Sequence, residues 1–181
     1  MNIAIFGGSF DPPHIGHEQI ATLALKELEI DKLFVVPTYL NPFKNDSFLD
    51  ANTRLELIND IFVDMKKVEV LDYEVNQKEK VTTFETVKYL KSLYDIDKIY
   101  LIIGADNLKS IHLWYNAKKL KELVEFIVIS REQHSIKNDY IDVQTLHLDI
   151  DISSSKLREN MELEYIPKKI QQKVRKFWKI E

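Results

Sequence analysis

The chain has 181 residues, 45% hydrophobic and 30% charged, with a net charge of −4 and no cysteine. That composition is ordinary for one globular domain able to bury ~70% of the surface its unfolded chain exposes. It excludes disulfide and thiolate chemistry, no apolar run approaches the ~20 residues of a membrane span, and the acidic balance argues against nucleic acid as the main partner.

In chain order, residues 2–6 read as a buried strand, short and apolar, ended by Gly7 and Gly8. Helical spacing over residues 17–28 (Ile20, Leu23, Ala24, Leu28) predicts a helix entered near Gly16. Residues 33–36 form a second strand closed by Pro37, and a helix opens near Thr53, where Thr53-x-x-Glu56 has the capping-box form. Residues 68–71 are a third strand. Thr82-x-x-Glu85 opens another helix through Val87, Leu90 and Leu93. Residues 99–103 are the most apolar strand, ended by Gly104, and a broken helical stretch runs from there to Leu123. Residues 126–129 make a fifth strand, and residues 140–148 read ambiguously as a sixth. A helical segment from about 153 completes a single domain spanning 1–181, its last helix presenting Ile170, Val174, Phe177 and Trp178 for docking. The lysines and arginines of that helix read as a solvated face. Alternating strands and helices imply an α/β fold, a doubly wound and mostly parallel Rossmann-like sheet with helices on both faces, and ligands beyond the carboxyl ends of its strands.

On that rim lies GGSFDPPHIGH, residues 7–17, which holds three of the four glycines and two of the five histidines. Gly7 and Gly8 are expected to let the backbone turn and approach a ligand, and the helix entrance at Gly16 offers N–H groups suited to phosphate. The loop is neither GxxxxGK[ST] nor GxGxxG, and Val36-Pro37-Thr38 supplies no acid for a ribose hydroxyl. It reads as a phosphate loop of another kind, with His14 and His17 as side-chain donors.

GGSFDPPHIGH resembles the signature of the HxGH nucleotidyltransferase superfamily, whose element is shared with class I aminoacyl-tRNA synthetases. LIIGADNLKSIHLW (101–114), ISSSKLR (152–158) and Leu163-Glu164-Tyr165-Ile166-Pro167 are similar, in order, to blocks of bacterial nicotinate-nucleotide adenylyltransferases. The resemblance implies a nucleotidyltransferase fold and transfer of AMP from ATP to nicotinate mononucleotide, giving nicotinate adenine dinucleotide and pyrophosphate in NAD biosynthesis. It implies that His14 and His17 hold the ATP phosphates, His17 nearest the reacting phosphorus, with Gly8, Ser9 and Phe10 against the nucleotide backbone. Lys44, Ser153, Ser154 and Arg158 would attend the triphosphate. Gly104 and Asp106 would face adenosine and the ribose of one nucleotide. Thr83, Asp106, Trp114 and Tyr115 would bind the mononucleotide, Trp114 by stacking on the pyridine ring and Thr83 and Tyr115 through backbone N–H groups.

The attacking phosphate oxygen is already ionised, so positioning and electrostatics are the expected sources of rate. Mg²⁺ is expected as cofactor, held mainly by the ATP phosphates, since the sequence shows no carboxylate cluster for a protein-held metal. His112, His134 and His147 are scattered without ligand spacing. The N-terminus lacks the flanks of a signal peptide, so a cytoplasmic chain without membrane partner is expected, as monomer or homodimer. Two departures from the pattern fall on the mononucleotide side: Asn41-Pro42-Phe43-Lys44 keeps the lysine of a PPHK-like element but not its histidine, and Thr82-Thr83-Phe84-Glu85-Thr86 replaces a YTxDT block. Alternatives are nicotinamide-mononucleotide and pantetheine-phosphate adenylyltransferases, the latter usually carrying threonine in place of His14, and a non-catalytic nucleotide sensor.

Overall fold

The computed structural model describes residues 1–41, 46–130, 136–150 and 152–179. Among them, six strands form one parallel sheet: β1 (Asn2–Gly8), β2 (Lys32–Pro37), β3 (Val68–Val70), β4 (Lys98–Gly104), β5 (Glu125–Ser130) and β6 (Val143–His147), in the order β3-β2-β1-β4-β5-β6. The helices are α1 (Ile15–Glu27), α2 (Ala51–Phe62), α3 (Tyr73–Gln77), α4 (Thr83–Leu93), α5 (Ala117–Leu123), α6 (Ser154–Asn160) and α7 (Gln171–Trp178).

Period-two alternation divides the core between the two faces of the sheet. Ala4, Phe6, Leu33, Val35, Ile102 and Ile127 meet α1, α2 and α7 through Ala21, Ala24, Leu57, Ile58, Val174 and Trp178. Ile3, Ile5, Phe34, Val36, Leu101 and Val128 meet α4 and α5 through Val87, Leu90 and Leu120. The strand order reverses between β1 and β4. A crevice therefore opens beyond their carboxyl ends, because connections leave there toward opposite faces.

Several sequence expectations shift at their edges. β1 continues through Gly7 and Gly8, which pair with Val36 and Pro37 of β2 instead of ending the strand. Pro37 is itself the last strand residue, a tolerated place because β3 pairs only as far as Val35, so no ladder bond on that side needs its N–H. The cap of α2 is Asp50, whose carboxylate accepts from Thr53 N–H at 3.0 Å, so Thr53 stands inside the helix. The Thr82–Glu85 capping box forms as expected. The ambiguous stretch before Leu148 supplies β6, parallel to β5. Helix α3 has no counterpart in the sequence reading, its five residues being too few to show a period.

The terminal helix also differs. Ile170, Val174 and Trp178 are buried, but Phe177 is 42% exposed, the i+7 position having rotated off the docking face. Its cations are not all solvated. Lys173 Nζ lies 2.5 Å from Glu56 and 2.6 Å from Asp60, and Lys169 Nζ lies 2.9 Å from Asp64, so this segment is fastened along α2. No helix of the described residues is long and apolar enough to cross a membrane.

Candidate active site

A cavity of about 1000 Å³ occupies the crevice between β1 and β4. Of the sequence-predicted site residues it gathers Gly8, Ser9, His14, His17, Gly104 and Asp106 along one stretch of wall, Ser153 and Ser154 from the opening of α6, and Thr83, Trp114 and Tyr115 at the α4 side. Phe10 and Arg158 do not line it, and Lys44 lies outside the described residues, as do His134 and the Pro42–Phe43 part of its loop.

Gly8, Gly16 and Gly104 act through space, a Cβ on Gly7 would meet nothing closer than 3.9 Å, and none of the four has positive φ. The turn is taken instead by Phe10, at φ 49°, a left-handed conformation costing a non-glycine residue roughly 1–2 kcal/mol. Burial offsets this cost. Phe10 is 2% exposed, its ring packs edge-on to Phe6 at 5.4 Å and to His17 at 4.8 Å, and it fills the place where a Cβ of Gly8 would sit. Phe10 thus serves the site from beneath, supporting His17. Asp11, before the cis bond to Pro12, accepts from Phe48 N–H at 2.7 Å and Leu49 N–H at 2.8 Å.

His14 caps α1 with an extended backbone, and its N–H donates to His17 Nδ1 at 3.0 Å. That bond fixes the tautomer: with Nδ1 accepting, the neutral ring carries its proton on Nε2. Burial, reinforced by His14, holds the His17 pKa well below its ordinary 6.5. The two rings stack at 3.7 Å, a separation that disfavours charging both. His17 is therefore a neutral N–H donor near pH 7, at the opening of α1, where its own backbone N–H returns to the His14 carbonyl at 2.9 Å and the N–H groups before it have no preceding turn to bond. Gly16 makes the stack possible, since a Cβ there would come within 2.9 Å of His14 Nδ1.

On the β4 side, the chain passes from Gly104 into 3-10 turns at Ala105–Lys109 and Ile111–Leu113. A Cβ on Gly104 would collide with the Asp106 carboxylate, so glycine leaves that group its place on the rim. Trp114 rests against the core beneath β4 and lines the cavity, with its buried Nε1 lacking a hydrogen-bond partner. From the C-terminal region, Ser153 caps α6 by accepting from Lys156 N–H at 3.2 Å, and Ser154 Oγ donates to the Pro12 carbonyl at 2.9 Å. Arg158 donates to the Asp11 carbonyl and, at 3.1 Å, to Ser155 Oγ. It therefore grips the glycine-rich loop from behind.

Imidazoles, the Ser153 hydroxyl and helix-opening N–H groups line part of this wall, which suits phosphate oxygens, and Asp106 and Glu74 bring carboxyl groups to it. Among the described residues no group of three or more His, Asp or Glu side chains is placed to hold a metal ion. The sequence profile described as cytidylyltransferase-like matches residues 5–160. A probable nicotinate-nucleotide adenylyltransferase of Aliarcobacter butzleri is 49% identical over 175 residues, covering 96% of this chain and 95% of its own. The chain belongs to the cytidylyltransferase-like family, among its nicotinate-nucleotide adenylyltransferases. A second such relative, from Sulfurimonas denitrificans, is 46% identical over 99% of this chain and 96% of its own. The fold matches that of a Plasmodium falciparum nicotinic acid mononucleotide adenylyltransferase complexed with NaAD, with a TM-score of 0.80 at 23% identity, covering 99% of this chain and 96% of that one.

Three residues of this adenylyltransferase-family site escaped the sequence reading. Arg54, 1% exposed, donates to the carbonyls of Ser9, Thr38, Tyr39 and Leu49 and so ties together the loops after β1 and β2. Burial lowers its pKa from the ordinary guanidinium value, against the opposing influence of Asp11 and Asp50. It falls on the buried stripe of Leu57, Ile58 and Ile61, and a cation at that spacing was the available signal. Thr38 lines the cavity with its Oγ1 buried and unpartnered. Glu74, on the unforeseen α3, is 5% exposed and also lines the cavity, accepting from Thr86 Oγ1 at 2.6 Å. Nothing in the sequence separates it from the other charges between Asp72 and Lys80.

Proposed function

We propose the following division of labour for the adenylyl transfer that this family performs. The protein transfers AMP from ATP to nicotinate mononucleotide, releasing pyrophosphate. A phosphate oxygen of the mononucleotide attacks the α-phosphorus of ATP. The bond to the bridging oxygen breaks, and its electron pair leaves with pyrophosphate. No proton must be removed from the nucleophile, so the protein's task is alignment and stabilisation of the leaving charge.

The observation that carries this reading is the neutral His17 beside the opening of α1, with its tautomer set by the His14 N–H. Such a ring donates through Nε2–H to an oxygen gaining charge without first needing a proton. His14, Ser153 and Ser154 hold the phosphates around it, and Gly8, Ser9 and Phe10 shape the floor. Lys44 is assigned a phosphate contact on its likeness to the family's lysine alone. Arg158 serves by fixing Asp11 and, on leaving that carbonyl, contacts the triphosphate directly. Gly104 and Asp106 take a ribose and the adenosine. Trp114 stacks on the pyridine ring, while the N–H groups of Thr83 and Tyr115 take its carboxylate. Mg²⁺ bound to ATP would neutralise phosphate oxygens, which His14, His17 and Ser153 meet from the protein side. One domain in the cytoplasm, as monomer or homodimer, suffices for these roles.

The test is pyrophosphate release from ATP and nicotinate mononucleotide with and without Mg²⁺. We expect metal-dependent release, and a loss of about 10²–10³ in kcat for a folded His17→Ala variant. Nucleotide binding without pyrophosphate release would favour the sensor reading, and unchanged turnover by the variant would remove the role given to His17.

A further inference from the structure

Glu74 has no part in the adenylyl transfer described above, yet it stands in the wall of the same cavity as Thr83 and Trp114. Its carboxyl is fastened to Thr86, itself 1% exposed, on the first turn of α4. That is the helix whose opening N–H groups are assigned to the nicotinate carboxylate. A substrate acid bound there shares this end of the cavity with a protein acid in a poorly hydrated wall, where like charges repel strongly. We propose that Glu74 sets the choice between acid and amide mononucleotides, accepting the acid while it is neutral and, once ionised, repelling it and receiving an amide N–H instead. The inference rests on the assignment of the pyridine end to Thr83, Trp114 and Tyr115.

The hydrogen-bond geometry accommodates both states. Neutral Glu74 donates to Thr86 Oγ1, whose own proton turns toward the Thr82 carbonyl at 3.4 Å. Ionised Glu74 receives the Thr86 proton across the same 2.6 Å. Desolvation raises the Glu74 pKa from 4.5 to about 7, the Thr86 bond opposing and the Glu85 charge adding to the rise. Around it, Glu85 of α4 is engaged by Thr82 N–H at 2.8 Å and Thr82 Oγ1 at 2.7 Å. Tyr73 and Tyr89 stack on each other at 3.9 Å. Arg54 of α2 is committed to four carbonyls, and β2 from Leu33 to Pro37 carries no ionisable side chain. The charge acting on Glu74 is thus of its own sign, and the neutral form is favoured up to about pH 7.

The experiment compares kcat/KM for nicotinate and nicotinamide mononucleotides from pH 6 to 9, in wild type and Glu74→Gln. Phosphate titration is common to both substrates and cancels in their ratio. We expect the wild-type acid-to-amide ratio to fall about tenfold as pH rises past 7, and the variant to hold a flat ratio near the wild type's low-pH value. A flat wild-type ratio, or the same fall in the variant, overturns the proposal. Calorimetric binding of each mononucleotide to wild type at pH 7.5, in buffers of different ionisation enthalpy, gives a second readout without turnover or mutation. The acid should bind with more proton uptake than the amide, and equal uptake overturns the proposal. Absence of pyrophosphate release with either substrate would instead strike the parent assignment, leaving the calorimetric comparison to judge Glu74.

Discussion

Replacing Arg54 by Met should be among the costliest single changes in the protein. The guanidinium donates at 3.1 Å to Leu49, at 2.7 Å to Ser9 and Thr38, and at 2.7 Å to Tyr39. Methionine fills similar volume but leaves those carbonyls without their donor, at about 1–3 kcal/mol for each one kept from water. Part of this is returned, because a desolvated cation is no longer buried. The net loss we expect is about 3–5 kcal/mol, or a fall in Tm of roughly 10 °C for a chain of this size. Arg54→Lys keeps the charge but not the planar fork, and should lose about half as much. Urea and thermal unfolding measure both variants. Because Ser9 and Thr38 line the cavity, kcat/KM should also drop at temperatures where Arg54→Met is still folded. A loss below about 1 kcal/mol would show that water readily replaces the side chain, and that the loops do not depend on it.

Gly104→Ala should leave stability within about 1 kcal/mol, since φ is −74° there, yet lower kcat/KM by displacing the Asp106 carboxylate; full activity would deny that carboxylate a role. His17, with its pKa held down, is neutral above its unfolded value of about 6.5, so its stabilising contribution is intact there and is lost as pH falls below it. Wild type should therefore lose more stability than His17→Asn between pH 7 and 5, as read from urea midpoints. Glu74 has the opposite sign: folded near 7 against 4.5 unfolded, it favours the folded state less as pH rises through that window, by about 3 kcal/mol at pH 8. Glu74→Gln should gain on wild type as pH rises from 5 to 8, and parallel stability curves would contradict the buried acid.

How much of this was legible in the sequence depended on whether local signals carried it. The strands of β1, β2 and β4 are continuous apolar runs, as sheets covered on both faces require, and the Thr82–Glu85 box announced α4. His14, His17, Gly104 and Trp114 stood in blocks whose order alone placed them on one rim. Cap Asp50 was missed because two capping signals overlapped three residues apart. The turn expected of Gly7 and Gly8 falls on Phe10 because a sequence shows flexibility and hides occupancy: the space at Gly8 belongs to the Phe10 ring. Glu74 and Arg54 were invisible as site residues because their meaning lies in burial and in partners distant along the chain, Ser9 and Arg54 being 45 residues apart.

The two contacts from α6 to the glycine-rich loop, Ser154 to Pro12 and Arg158 to Asp11, span 142 and 147 residues of sequence. The glycine-rich loop after β1 is thus secured by a helix synthesised only after all six strands. A nascent chain stalled before α6 would carry both histidines and all six strands of the sheet, yet lack the clasp behind them. The clasped form of the loop, and with it catalytic competence, should arrive only once the sheet is complete and α6 has followed it.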